Sequence, residues 1–327
     1  MRLGDVLCVP AVDEADAVET PSPAGNLSEM FSAHRRALWG LAYRLTGCAA
    51  DADDIVQETF ARAIERGAAV EPSSSKPWLM RVTANLAIDS LRRRRRQAYT
   101  GSWLPSPIES EAEPQGSDND SPECRYSRAE SVSFAFLLAL EALSPRQRAV
   151  LLLRDVFDYS GREVGDALSM SEANVRITHH RARRVMQSYD RDRRPPSPEL
   201  QERTATTLAE FLRCLVAQDI PGIEALLADS VRTITDGGGE YNALHAPLVG
   251  RNRVATLHLR VARRRSAYAR TQLRMINGLP ALVIEYSRSE RRQAPRTVLR
   301  CEVDERGQIS QVHVILATRK LTAVRFD

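Results

Sequence analysis

Lysine is almost absent from this 327-residue chain: of 46 basic residues only Lys76 and Lys320 are lysine, and the rest are arginine. Nucleotide bias in the gene explains such a preference as well as selection for guanidinium chemistry does, so the arginine count by itself marks no function. Cysteine is scarce. Cys8, Cys48, Cys124, Cys214 and Cys301 are odd in number, scattered and without a C-x-x-C pair, which excludes a disulfide framework and argues against structural zinc. No apolar run approaches the ~20 residues of a bilayer-crossing helix. The first 26 residues hold five acids against Arg2 alone, the wrong charge for a secretory leader. The expectation is a cytoplasmic protein with reduced thiols. With 43% apolar and 27% charged residues, the composition suits two or three globular units and excludes a fibrous or wholly disordered chain.

The formal net charge of +4 is unevenly spread. Residues 1–26 carry −4, 27–96 +4, 97–130 −5, 131–200 +2 and 201–327 +7. Basic modules separated by an acidic connector fit two surfaces that meet a polyanion. Residues 97–130 hold four prolines, many serines and little apolar periodicity, which reads as a flexible acidic linker. Extended, it reaches roughly 110 Å, about three turns of duplex. Residues 1–26 read as a disordered tail, and 195–204, opened by Pro195, Pro196 and Pro198, as a second linker.

Before the first linker the periodicity is helical. Phe31, His34, Leu38, Leu41 and Leu45 form one stripe, and Ile55, Val56, Phe60 and Ile64 another. A third helix is expected from near Pro77 through Trp78 into the run Arg92 to Arg96. In 131–194 the helices continue, opened by Ser144-Pro145 and by Ser171. After two helical stretches (204–217 and 221–228), β-branched runs at 231–235, 281–286, 297–303 and 311–317 predict an α+β domain with an antiparallel sheet.

The sharpest local signal is a helix over 161–168, a tight turn, a Ser171 cap and a second helix, the pattern of a helix-turn-helix. Val175, His179, Ala182 and Met186 share one face. That leaves Glu172, Asn174, Arg176, Thr178 and Arg181 for base edges, with Arg183 and Arg184 for phosphates. The Arg92 to Arg96 run either compensates a helix dipole or, beside the polar 67–76 loop, tracks nucleic acid. Trp78 is core or a stacking platform. Asp51, Asp53, Asp54 and Glu58 spread around a helix axis rather than converge, which favours a dipole or protein-contact role over a metal.

Leu41 to Gly47, Asp51 to Phe60, Pro77 to Arg92 and Ser144 to Val150, followed by the helix-turn-helix, together resemble the two conserved domains of extracytoplasmic-function sigma factors, over about residues 27–190. The resemblance implies two all-α domains: 27–96, for polymerase docking and the minus-ten element, and 131–194, for the minus-thirty-five element. It implies that Asp51, Asp54, Gln57 and Glu58 dock on the β′ clamp helices of the RNA polymerase core. It also implies that Asn85, Arg92 and Arg93 meet promoter DNA, with the 67–76 loop and the helix around Asn85 trapping the melted strand.

Trp103-Leu104-Pro105-Ser106-Pro107, Asp236-Gly237-Gly238-Gly239-Glu240 and Ala317-Thr318-Arg319-Lys320-Leu321 are similar to signatures of the subgroup with a fused SnoaL-like cone. The resemblance implies that residues 205–327 modulate activity from within the chain by contacting the linker or the first domain. Its members usually have an acid at the position of Ser106, Lys at that of Glu240 and Asn-Pro-Asp before the final Lys-Leu. No cofactor or metal is expected, and a small molecule in the cone is a further possibility. Because related cones include isomerases, Asp236 and His313 are candidate acid/base groups; equally, Asp236 suits a turn and His313 a solvent-facing strand position. The alternatives are a one-component regulator with a ligand-sensing cone, which leaves 27–96 idle, and a cyclase or isomerase with a DNA-binding appendage.

Overall fold

Leu38, Leu41 and Leu45 are wholly buried along helix α1 (Pro23–Thr46) of a computed structural model that describes residues 23–66, 72–97, 99–109, 124–265, 267 and 269–326. Residues 1–22, 67–71 and 110–123, parts of the expected tail, reading loop and linker, lie outside those described. The expected tail is shorter at its end, since α1 begins at Pro23. Gly47, at φ +67°, turns the chain into α2 (Ala49–Glu65), whose Ile55, Val56 and Phe60 pack inward. Helix α3 (Pro72–Arg96) starts five residues before the expected Pro77, which sits inside it and forgoes one bond to the residue 73 carbonyl.

The second body holds α4 (Phe134–Leu140), α5 (Pro145–Asp155), α6 (Gly161–Leu168) and α7 (Glu172–Asp192). Serines 133, 144, 160 and 171 cap these helices, Ser144 and Ser160 in reciprocal boxes with Gln147 and Glu163. Ser169, at φ 52°, closes α6 and makes the tight turn. The two helical bodies are not held apart: one apolar cluster runs from Leu38 to Met186. At their junction the buried Arg148 donates to Leu45 O (2.8 Å) and Leu140 O (2.7 Å) and pairs with Glu141 (2.8 Å), which also takes Arg94 (2.6 Å). Burial would raise the Glu141 pKa, but the two guanidiniums outweigh it and hold the carboxyl below its ordinary value.

The third body opens with α8 (Pro198–Ala217), capped by Ser197 with Pro198 in its first turn, so most of the expected 195–204 linker is helix. Then come α9 (Ile220–Leu226), β1 (Leu227–Asp236), β2 (Leu248–Val249), α10 (Arg251–Arg265), β3 (Ala269–Ile276), β4 (Leu279–Tyr286), β5 (Arg296–Val303) and β6 (Ile309–Ile315). Strand order is β2-β1-β6-β5-β4-β3, antiparallel except that β1 and β6 are parallel. The expectation of a purely antiparallel sheet is corrected there. Leu208, Phe211, Val254, Leu282, Leu299 and Cys301 form the core under the helices. Alternate residues Ala281, Val283, Val298 and Ile315 face the other way, onto Leu104 and Phe134. A sheet covered on both faces explains the continuous burial of residues 279–283.

Candidate functional site

Residues 99–109, expected to be part of a flexible tether, are threaded between the sheet and the first body, with 104–108 buried. Ser106 does what a tether residue would not. Its N–H donates to Gly47 O (2.8 Å), its carbonyl accepts from Tyr43 Oη (2.7 Å), and its Oγ accepts from the Ala49 N–H (3.1 Å) at the start of α2. Asn277 ties all three bodies: it accepts from the Ile108 N–H (3.0 Å) and donates to Tyr43 Oη and Val132 O (2.8 Å each). Trp103 lies between two cations, Arg94 at 4.3 Å and Lys320 at 4.4 Å from its ring. A Cβ on Gly47 would come within 2.6 Å of that ring, which, with its positive φ, demands glycine there.

The anchor of this segment is Asp236, fully buried at the end of β1. It accepts from the Leu104 N–H (2.7 Å), from the Gly238 N–H (3.1 Å), from Tyr99 Oη and from Lys320 Nζ, which also reaches Leu104 O. The Gly238 bond is the turn role; the others join the Asp-Gly-Gly-Gly turn to the Trp103-Leu104-Pro105 segment and to Lys320-Leu321. Gly238 (φ +59°) lies against Ala317, where a Cβ would come within 2.8 Å. Burial lowers the Lys320 pKa to about 8 against the pull of Asp236. Both Asp236 oxygens are engaged, so no carboxylate oxygen is left to take a substrate proton.

His313 does not face solvent. It is fully buried, its Nδ1 accepting from Arg300 (3.1 Å), and its ring stacks on Phe134 of α4 (5.9 Å), over which the Arg300 guanidinium also lies (4.2 Å). The concave face, where a small molecule was considered, is filled by Leu104, Phe134 and Leu321. A contact from the helix-turn-helix body was not expected. Its signal was available: the run FAFLLAL is apolar on every side, and such a helix is covered on every side. Burial and Arg300 push the His313 pKa well below 6.5, and burial takes that of His258 to about 4. The unfolded chain therefore binds protons first as pH falls, and stability present above pH 6.5 is lost toward pH 4, about 3 kcal/mol from His258 alone. Chemical denaturation across that range checks it, and His258→Gln should flatten the profile.

On α7 the expected inward face is buried at Val175, Ala182 and Met186. Glu172, Asn174, Arg176, Arg181 and Arg184 are exposed beyond the Ser171 cap, and Thr178 is half-buried. Arg183, expected at a phosphate, is exposed and bonds Asp155 through its Nε (3.1 Å) and an Nη (2.8 Å); Asp155 also meets His179 Nε2 (2.8 Å), pinning α7 to α5. Asn85 donates to Arg81 O (2.9 Å) and to Ala167 O (3.3 Å), so the expected minus-ten reader faces the first helix of the helix-turn-helix. Arg92 pairs with Asp89 (3.0 Å) and Arg93 is exposed. The acids of α2 diverge. Asp53 accepts from Trp39 (2.9 Å), Glu58 pairs with Arg62 (2.8 Å), Gln57 is exposed, and Asp51 and Asp54 both take Arg319 from the end of the third body. Trp78 is half-buried under Arg66 (5.5 Å).

Sequence models of sigma-70 region 2 and sigma-70 region 4 match residues 30–97 and 133–186. The ECF RNA polymerase sigma factor SigG of Mycobacterium tuberculosis is 35% identical over 293 residues, covering 79% of this chain and 74% of that protein. The chain belongs to the extracytoplasmic-function sigma factors. SigJ of the same organism is 31% identical over 253 residues, covering 76% of this sigma factor and 78% of SigJ. The crystal structure of SigJ superposes with a TM-score of 0.66 at 26% identity, over 92% of this chain and all of that one. The sigma factor thus directs promoter-specific initiation by RNA polymerase and is not an enzyme, and its third body has the α+β architecture expected of the cone. Among the described residues no helix is long and apolar enough to cross a membrane.

Proposed function

We propose that this sigma factor is held closed by its own cone. Residues 27–96 dock on the polymerase β′ clamp helices through Asp51, Asp54, Gln57 and Glu58 and meet the minus-ten element through Asn85, Arg92 and Arg93. Residues 131–194 read the minus-thirty-five element through Asn174, Arg176, Thr178 and Arg181, with Arg184 on the backbone. Residues 205–327 regulate both. The observation that carries this reading is Arg319 of the cone lying on Asp51 and Asp54, the carboxylates assigned to polymerase. The hydrogen bond from the exposed Asn85 to Ala167 O adds to it, because that amide must leave the neighbouring domain before it can meet DNA.

Arg319→Asp places like charges together, and an exposed ion pair is worth about 0.2–1 kcal/mol. Core polymerase should bind the full-length variant a few-fold more tightly than the unaltered chain, and equal or weaker binding would remove the masking role. Charge reversal at Asp54 should abolish that binding in both backgrounds. On DNA, Arg176→Ala should cost about 1–3 kcal/mol at one base position, whereas Arg184→Ala should weaken all sequences alike. Equal losses on every sequence for both changes would count against the assignment.

A further inference from the structure

Residues 251–300 hold 13 arginines against two acids, Glu285 and Glu290. Preference for arginine over lysine exchanges one cation for another and does not remove acids, so the imbalance belongs to the surface these residues make. Along α10, Arg253, Arg260 and Arg264 recur at steps of seven and four, all exposed. They span roughly 17 Å at 1.5 Å per residue. Arg264 reaches Glu290 (3.1 Å), and Arg265 donates to Ser289 Oγ (3.1 Å) and Ala294 O (2.8 Å), strapping the β4–β5 turn to the helix end. That turn adds the exposed Arg288, Arg291 and Arg292. Both acids are already engaged, Glu290 by Arg264 and Gln293 and Glu285 by Arg296. Arg253, Arg260, Arg291 and Arg292 make no ion pair among the described residues.

The patch is also joined to the arginine-rich end of α3. The Asn242 N–H donates to Arg292 O (2.9 Å), and the 237–244 loop passes close to Thr100 and Gly101, just after Arg92 to Arg96.

We propose that this face of the cone grips the phosphate backbone of duplex DNA, giving the sigma factor a third DNA contact beside its two reading domains. Counting both strands, a duplex carries a negative charge every ~1.7 Å of axis, so the length of this stripe holds about ten phosphates, roughly half of them on the near side, and guanidinium forks suit their oxygens. The contact carries no base preference, because phosphate oxygens hold no sequence information. It does not depend on the closed form, since Arg253, Arg260, Arg291 and Arg292 take no part in the Arg319 ion pairs or the Asp236 hydrogen bonds.

The test is the full-length quadruple variant Arg253→Gln, Arg260→Gln, Arg291→Gln and Arg292→Gln. Its probe is a fluorescent 30-base-pair duplex of non-promoter sequence, titrated over a series of salt concentrations. All four side chains are exposed, and an unchanged melting temperature certifies the fold. The slope of log K against log salt should become shallower by about 3 to 4, at roughly 0.9 per phosphate lost, with affinity at low salt down at least tenfold. An unchanged slope overturns the proposal. So does an unchanged DNA slope accompanied by weaker binding to core polymerase, which would assign the face to an acidic protein surface instead.

Discussion

A full-length Asp236→Asn chain will lose protection of residues 99–109 and start more RNA than the unaltered chain. Asp236 is buried and offsets the charge of Lys320, itself buried and pressed against Leu104 O. Asparagine keeps the shape but leaves an ammonium in a low-dielectric site without its counter-charge, a loss of about 3–5 kcal/mol for a broken buried pair. Local release of the segment lets Lys320 reach water, so the cost appears there first. Amide exchange at Leu104 and Ile108 should accelerate by two or more orders of magnitude, and run-off transcription should rise. Unchanged exchange would mean that Asp236 does not hold the segment.

Phe134→Ala will separate the cone from the helix-turn-helix without impairing the reading helix. The ring is fully buried on Ile315, Val298 and His313 beneath the Arg300 guanidinium. Truncating a buried phenylalanine costs about 3–5 kcal/mol, and loss of a desolvated cation–π partner adds to it. Because α4 meets α7 through Phe136 on Tyr189, toward the C-terminal end of α7 and past the reading residues, backbone-limited DNA binding through Arg184 should persist, while exchange protection in β5 and β6 falls. A loss below about 1 kcal/mol would show that the concave face is not packed as described.

What was legible in the sequence was local. The stripes of α1 and α2, the serine caps and the turn at Ser169 are set by neighbours three or four residues away, and the helix-turn-helix followed from them. Residues 99–109 were misread because they have no period of their own: Leu104, Ser106 and Ile108 are buried by partners more than 50 residues distant, such as Tyr43, Asp236 and Asn277. The parallel β1–β6 pairing is likewise invisible to local patterns, since it depends on where the chain returns after α10. Helix α10 did carry a signal, Val254, Ala255, His258 and Leu259 on one face, hidden by the arginines around it. The Arg183–Asp155 ion pair is equally invisible, because nothing near Arg183 in sequence names Asp155 as its partner.

The candidate site divides the same way. The motifs around Trp103, Asp236 and Lys320 were recognisable as three separate segments. That they form one clamp, and that Arg319, in place of the acid usual in its motif, lies on Asp51 and Asp54, emerges only from the fold.

The distance between the two promoter-reading domains, measured by pulsed electron paramagnetic resonance between labels at the exposed Ile64 on α2 and Gln187 on α7, decides whether the closed chain must open to work. Elements about 25 base pairs apart are separated by roughly 85 Å of duplex at 3.4 Å per step. In the free chain, where Asn85 touches Ala167, a single short distance is expected. On polymerase and promoter it should be replaced by one several tens of ångströms longer. The same distance in both states would contradict opening, and a long distance in the free chain would contradict closure.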